Sequence, residues 1–128
     1  MIFKGTFNIN RNCAIFCCNK VTFGDDLLLG DNIVIRDSDG HTVYKDGVAK
    51  KSQQPISIGT HVWIASHSHI LKGSSVSDNS IVAYGSVVTR KFINRSVIIA
   101  GIPAKEIQSG IKWGDFNSEE ENKVQDNL

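Results

Sequence analysis

Every sixth residue is apolar along two stretches of this 128-residue chain: Phe3, Ile9, Ile15, Val21, Leu27 and Ile33, then Ile58, Ile64, Ile70, Val76, Val82 and Val88. That period matches neither the face of an α-helix nor the simple alternation of a strand. It fits a stacked repeat in which each short strand turns a corner before the next begins. With 41% hydrophobic residues overall, an unbroken run of Phe, Ile, Leu or Val at these positions is not a product of composition. The remaining positions agree. The residue four places after each apolar one in the second stretch is Val62, Ser68, Ser74, Ser80, Ser86 or Phe92, and the residue one place after is Gly59, Ala65, Leu71, Ser77, Ala83 or Thr89. Small residues dominate where a tight corner turns inward. The pattern predicts an all-β coil.

The period breaks once. Ile33 and Ile58 are 25 residues apart, one more than four repeats allow, and the segment Asp37–Pro55 between them is polar. An excursion of this length from a repetitive core is usually functional or disordered. The repeat fades after Val88, a strand-like Val97–Ala100 follows, and the end of the chain is acidic and polar. Ser118 with Glu121 has the spacing of a capping box for a short helix. These features divide the chain into a repeat domain over 1–107, excursion included, and a tail over 108–128.

A formal charge of +1 argues against a nucleic-acid-binding face, and no apolar run approaches the length of a membrane span. The N-terminus has no signal-peptide pattern, so the chain is expected to be soluble and cytoplasmic. Cys13, Cys17 and Cys18 lie within two adjacent repeats and cannot all pair; they are expected to be reduced and to fill the core.

His41 is the strongest chemical candidate. It follows Asp37, Asp39 and Gly40 in the one segment that leaves the coil. An imidazole with a pKa near ~6.5 can take a proton from a hydroxyl at neutral pH, and Asp39 or Asp37 could hold its tautomer. His61, His67 and His69 have five and one residues between them. A two-residue step puts His67 and His69 on one face of a strand.

The motifs of the second stretch resemble those of the hexapeptide-repeat acetyltransferases. Asp39-Gly40-His41, followed by a polar stretch and Ile56-Ser57-Ile58-Gly59, is similar to the family's D-G-H setting and I-x-I-G. Ile58-Gly59-Thr60-His61-Val62-Trp63-Ile64-Ala65-Ser66 resembles I-G-x-x-V-W-I-G-x, with Ala65 in place of glycine. Val82-Ala83-Tyr84-Gly85-Ser86-Val87-Val88-Thr89-Arg90 resembles V-I/V-G-A-G-S-V-V-T-K, and Ala100-Gly101-Ile102-Pro103-Ala104-Lys105 resembles A-G-N-P-A-K/R. The resemblance covers roughly residues 3–107. Each piece alone is weak, whereas the ordered set is specific.

The resemblance implies a left-handed parallel β-helix of three repeats per coil. General crossover rules favour the right hand, so the period alone does not give this winding. It further implies an acetyl-CoA-dependent O-acetyltransferase acting on a sugar or surface polysaccharide precursor, with His41 as general base, Asp39 beside it and direct transfer to the acceptor hydroxyl. Acetyl-CoA as co-substrate is expected to meet Trp63, Ala65, Ser66, Ala83 and Tyr84 along one edge, with Thr89 also in contact and Arg90 or Lys105 pairing with its phosphates. Ser66 would offer an N–H or hydroxyl to the thioester carbonyl. The family's arrangement implies a homotrimer with active sites between subunits.

No metal is expected, because the histidines do not reproduce the zinc-ligand spacing of the family's carbonic anhydrases. Serine acetyltransferases add a large N-terminal helical domain, for which there is no room before Phe3. The competing reading is a non-catalytic scaffold or a truncated, inactive relative, which needs neither His41 nor Trp63.

Overall fold

A computed structural model describes residues 1–124. Strands of two or three residues wind around three faces. The first coil holds β1 (Ile2–Phe3), β2 (Phe7–Ile9) and β3 (Ala14–Phe16), and the second holds β4 (Val21–Phe23), β5 (Leu27–Leu29) and β6 (Val34–Arg36). A hairpin interrupts the winding, β7 (Tyr44–Lys45) and β8 (Val48–Ala49). The third coil is β9 (Ile56–Ile58), β10 (Trp63–Ile64) and β11 (His69–Leu71); the fourth is β12 (Ser75–Val76), β13 (Ile81–Val82) and β14 (Val87–Val88). Then come β15 (Ile98–Gly101), β16 (Ala104–Gln108) and one helical turn, α1 (Ser118–Glu121).

The first face stacks β1-β4-β9-β12, the third stacks β3-β6-β11-β14, and the second runs β2-β5-β10-β13-β15-β16. All coil-to-coil pairings are parallel; only β15–β16 and β7–β8 are antiparallel. The all-β coil expected from the period, and the parallel β-helix implied by the resemblance, are therefore present.

Each repeat points two side chains inward, two residues apart. On the first face Phe3, Phe23, Ile58 and Val76 stack in one column. Ile9, Leu29, Ile64, Val82 and Ile99 stack on the second. Ile15, Ile35, Ile70 and Val88 stack on the third. The other inward positions carry Val21, Leu27, Ile33, Ile56 and Val62, then Ser68, Ser74, Ser80 and Ser86, all buried. The serine hydroxyls are satisfied at the corners: Ser68 donates to the Ala83 carbonyl at 3.0 Å and Ser74 to the Val88 carbonyl at 3.0 Å. Ser86 accepts the Gly101 N–H at 3.2 Å. Burying each hydroxyl against a backbone group of the stack avoids an unpaired polar group in the prism.

The stack corrects the first apolar stretch in detail. Coils three and four are 18 residues apart, as Trp63 opposite Ile81 shows. Coils one and two are 20 apart, as Ala14 opposite Val34 shows. Two extra residues widen the corner between Phe16 and Val21, so Phe3, Ile9 and Ile15 occupy one inward position while Val21, Leu27 and Ile33 occupy the other. Cys17 and Cys18 fall in this wider corner. Cys13 and Cys17 are half-buried and Cys18 is exposed, so the expectation that all three fill the core fails for Cys18.

At the far end the strand-like segment becomes β15, and β16 folds back on it. The expected domain boundary at 107 falls just inside β16. The short helix is present, but its cap is Asn117, whose side chain accepts the Glu120 N–H at 3.1 Å, rather than Ser118. The last four residues of the expected 108–128 tail lie outside the described residues.

Candidate active site

Consecutive coils place Trp63 and Ile81 side by side on the second face, and Ser66 and Tyr84 at the corner that leads to the third face. A groove of about 460 Å³ runs there, lined by Trp63, Ala65, Ser66, Ile81, Ala83, Tyr84 and Ile98. Five of the expected cofactor-contacting residues are thus brought together: Trp63, Ala65, Ser66, Ala83 and Tyr84. Trp63 is 37% exposed and Tyr84 is 70% exposed, so neither ring is consumed by core packing.

The backbone at this corner has a particular pattern. The Ala65 N–H bonds to the Val82 carbonyl, the Ala83 N–H to the Ile99 carbonyl, and the Gly85 N–H to the Ser66 carbonyl at 3.0 Å. Among the described residues, the N–H groups of Ser66 and Tyr84 donate to no protein acceptor. One coil below, the corresponding Asp31 N–H is taken by the Ser66 hydroxyl oxygen at 3.0 Å. The Ser66 side chain is therefore turned into the stack, where Gly30 leaves it room: a Cβ on Gly30 would lie 2.5 Å from that oxygen. A shallow apolar wall with two open N–H donors suits an extended chain carrying carbonyl groups.

The excursion leaves from a different corner, between the third and first faces, after β6. Its base is a short antiparallel ladder in which Ser38 bridges Gln53, the Asp39 N–H bonds to Ser52 and the Gln54 N–H to Asp37. Asp46 and Gly47 adopt φ of 50° and 78°, the left-handed pair of a two-residue hairpin turn, and so join β7 to β8. His41 stands exposed between the base and β7.

The two carboxylates beside His41 are occupied elsewhere. Asp39 pairs with Lys72 at 2.7 Å. Asp37 is fully buried and accepts the Cys18 and Asn19 N–H groups at 2.8 and 2.7 Å. Burial alone would push the Asp37 carboxyl up, but the backbone N–H groups of Cys18, Asn19 and Lys20 and the Cys17 thiol outweigh it and hold it below its ordinary value. No hydrogen bond from His41 to either carboxylate is present among the described residues.

Thr89 and Arg90 lie at the excursion's corner, not at the groove's. The Arg90 guanidinium stacks over Phe92 at 4.8 Å. Lys105 lies on β16, at the end of the sheet that carries the groove, opposite Ala100.

The three remaining histidines differ among themselves. His69 is exposed on β11, and His67 sits beside Tyr84 with ring centroids 5.1 Å apart. His61 is built into a clasp. Its Nδ1 meets Asp26 at 2.5 Å, its Nε2 meets the Trp113 carbonyl at 2.9 Å, and its ring stacks on Trp113 at 3.7 Å. The Trp113 indole N–H returns a bond to the His61 carbonyl at 2.9 Å. Burial pushes the His61 pKa down, but the Trp113 carbonyl and the Asp26 carboxylate prevail and raise it, with both ring nitrogens donating. The sequence signal was faint: His61 occupies a corner with φ of 55°, where Asp26 and Asn79 stand in neighbouring coils, but nothing local marks Trp113 as its partner 52 residues on.

Compared with known protein-family models, the chain matches none. It is 37% identical over 105 residues to galactoside O-acetyltransferase of Escherichia coli (strain K12), covering 80% of this chain and 50% of that one. Among solved structures, the polySia-specific acetyltransferase NeuO superposes with a TM-score of 0.82 at 29% identity, over 91% of this chain and 56% of that one. A galactoside acetyltransferase in complex with coenzyme A superposes with a TM-score of 0.66 at 30% identity, over 84% of this chain and 58% of that one. The chain spans about half the length of the relatives it matches. By its coil and by these relatives, the chain is a left-handed parallel β-helix of the hexapeptide-repeat family, whose members here are O-acetyltransferases.

Proposed function

We propose that the chain transfers an acetyl group from acetyl-CoA to a hydroxyl of a sugar or surface polysaccharide precursor, at a site shared between copies in a homotrimer. One observation carries this reading. The groove with open Ser66 and Tyr84 N–H groups and the excursion with His41 leave the same chain at different corners, and no excursion residue lines the groove. A neighbouring copy supplies what each lacks, and closed threefold symmetry repeats the pairing. Arg90 comes with His41 from that neighbour, whereas Lys105 belongs to the groove's own sheet. Both cations suit the phosphates of CoA.

In this reading His41 takes the proton of the acceptor hydroxyl as its oxygen attacks the thioester carbonyl. The N–H donors of the groove corner stabilise the charge that develops on the carbonyl oxygen. Collapse breaks the carbon–sulfur bond, and the imidazolium returns its proton to the departing thiolate. Ser66 contributes through its backbone, since its hydroxyl is used within the stack. Asp39 anchors the excursion through Lys72.

The test is thiol release from acetyl-CoA in the presence of methyl galactoside or oligosialic acid. The chain should turn over with at least one of them. His41→Ala should slow it by ~10²–10⁴-fold with CoA affinity by calorimetry unchanged. Wild-type rates in the variant would remove His41 as the base, and no turnover with intact CoA binding would favour the scaffold reading.

A further inference from the structure

Lys72 makes two bonds with one ammonium group. Its Nζ donates to the Asp39 carboxylate at 2.7 Å and to the Lys51 carbonyl at 2.7 Å. Asp39 lies on the outgoing limb of the excursion, two residues before His41, and Lys51 lies on the returning limb. Among the described residues, no other side chain of the coil donates to residues 38–55.

Lys72 itself is firmly seated. It follows β11, which is paired on both sides, with β6 and β14. The next residue, Gly73, turns the corner at φ of 74° and bonds through its N–H to the Gln54 carbonyl at 3.3 Å. A Cβ at Gly73 would stand 3.1 Å from the Gln54 side-chain oxygen, so the corner lies close against the returning limb. The ladder at the base fixes the two limbs to each other. Lys72 fixes both of them, together, to the third coil.

We propose that Lys72 is the positioning residue of the catalytic excursion: its ammonium, shared between Asp39 and Lys51, sets the place at which His41 meets the neighbouring groove. The proposal rests on His41 being the general base. A misplacement of a base by about 1 Å costs on the order of a hundredfold in rate while leaving the cofactor's own contacts intact. Lysine suits the task because a compact ammonium can donate to a carboxylate and a carbonyl from different strands, at the end of a stem only 23% exposed.

The experiment measures thiol release from acetyl-CoA with methyl galactoside and with oligosialic acid for wild type, Lys72→Met, Lys72→Arg, His41→Ala and the Lys72→Met/His41→Ala double variant. Thermal melting and light scattering are followed alongside. Lys72→Met should lower kcat by about 10- to 100-fold with KM for acetyl-CoA unchanged and the oligomer intact. Lys72→Arg should recover most of the loss. In the His41→Ala background Lys72→Met should change nothing further, because a residue acting only through His41 has no effect once His41 is gone.

Full activity in Lys72→Met beside a slow His41→Ala overturns the positioning role and leaves the general base standing. An equal Lys72→Met loss in both backgrounds, or a collapse of melting temperature that Lys72→Arg does not repair, makes Lys72 a fold residue and overturns the proposal. Full activity in His41→Ala, or no wild-type turnover with either acceptor, removes the base and the proposal with it.

Discussion

The Asp37 carboxylate receives two backbone N–H groups from the widened corner of the first coil while its side chain is shut off from solvent. The same residue begins the excursion, so one side chain ties the base of that segment to the coil below it. Asp37→Asn presents an NH₂ group to one of those N–H donors. The expected cost is about 1–3 kcal/mol, read as a fall in urea midpoint at pH 7. The folded carboxyl is held below its ordinary value of 3.8. Its contribution is therefore present above that value and is lost as pH falls through the depressed folded pKa. The difference between wild type and variant should narrow in strong acid; a constant difference from pH 7 to pH 2 would contradict the assignment. Neither the burial of Asp37 nor its partners were legible, because the residues that bind it become neighbours only once the corner between Phe16 and Val21 has widened.

Among the elements, the short strands and their period could be read directly, and the reason the frame shift could not is geometric. Each repeat has two inward positions two residues apart. Slipping the frame by two residues trades one for the other, so Val21, Leu27 and Ile33 remain apolar and the count shows no gap. The groove was legible because Ser66 and Tyr84, one coil apart, carry matching motifs. The β7–β8 hairpin carried an unused signal in Asp46-Gly47.

The segment after β16 was opaque, since its anchor is a tertiary contact. That anchor is testable. A His61 pKa raised by folding means the clasp is complete below the ordinary value of 6.5 and weakens as pH rises through the folded pKa. Tryptophan emission should shift with increasing pH as Trp113 loosens. His61→Asn, which tolerates the corner's positive φ, should abolish the titration. A pH-independent spectrum in wild type would rule out the titrating clasp.

At the scale of the whole molecule, a shared site makes a prediction that a self-contained one does not. In the proposed homotrimer, Ala83→Phe should fill the groove and His41→Ala should remove the proposed base, leaving each variant inactive. Co-refolded in equal amounts, the two variants form mixed trimers in which some clefts join an intact groove to an intact His41. Activity should return to roughly a quarter of wild type if the subunits assort at random and the clefts act independently. No recovery in mixtures shown by mass spectrometry to contain mixed trimers would place groove and base in one chain.

The excursion also shapes what kinds of change the molecule can absorb. On all three faces the pairing between the second and third coils is offset by the same 35 residues: Val21 with Ile56, Leu28 with Trp63 and Val34 with His69. Against the 18 residues between coils three and four, the excess is 35 − 18 = 17 on each face. A detour whose two ends meet without altering any register is a cassette. Its entropic penalty rises only with the logarithm of its length, so insertions, deletions or exchanges within residues 38–54 leave the stacked columns in place. Selection on the excursion and selection on the scaffold can thus proceed almost independently. The part of the chain proposed to carry the base is the part most free to diverge.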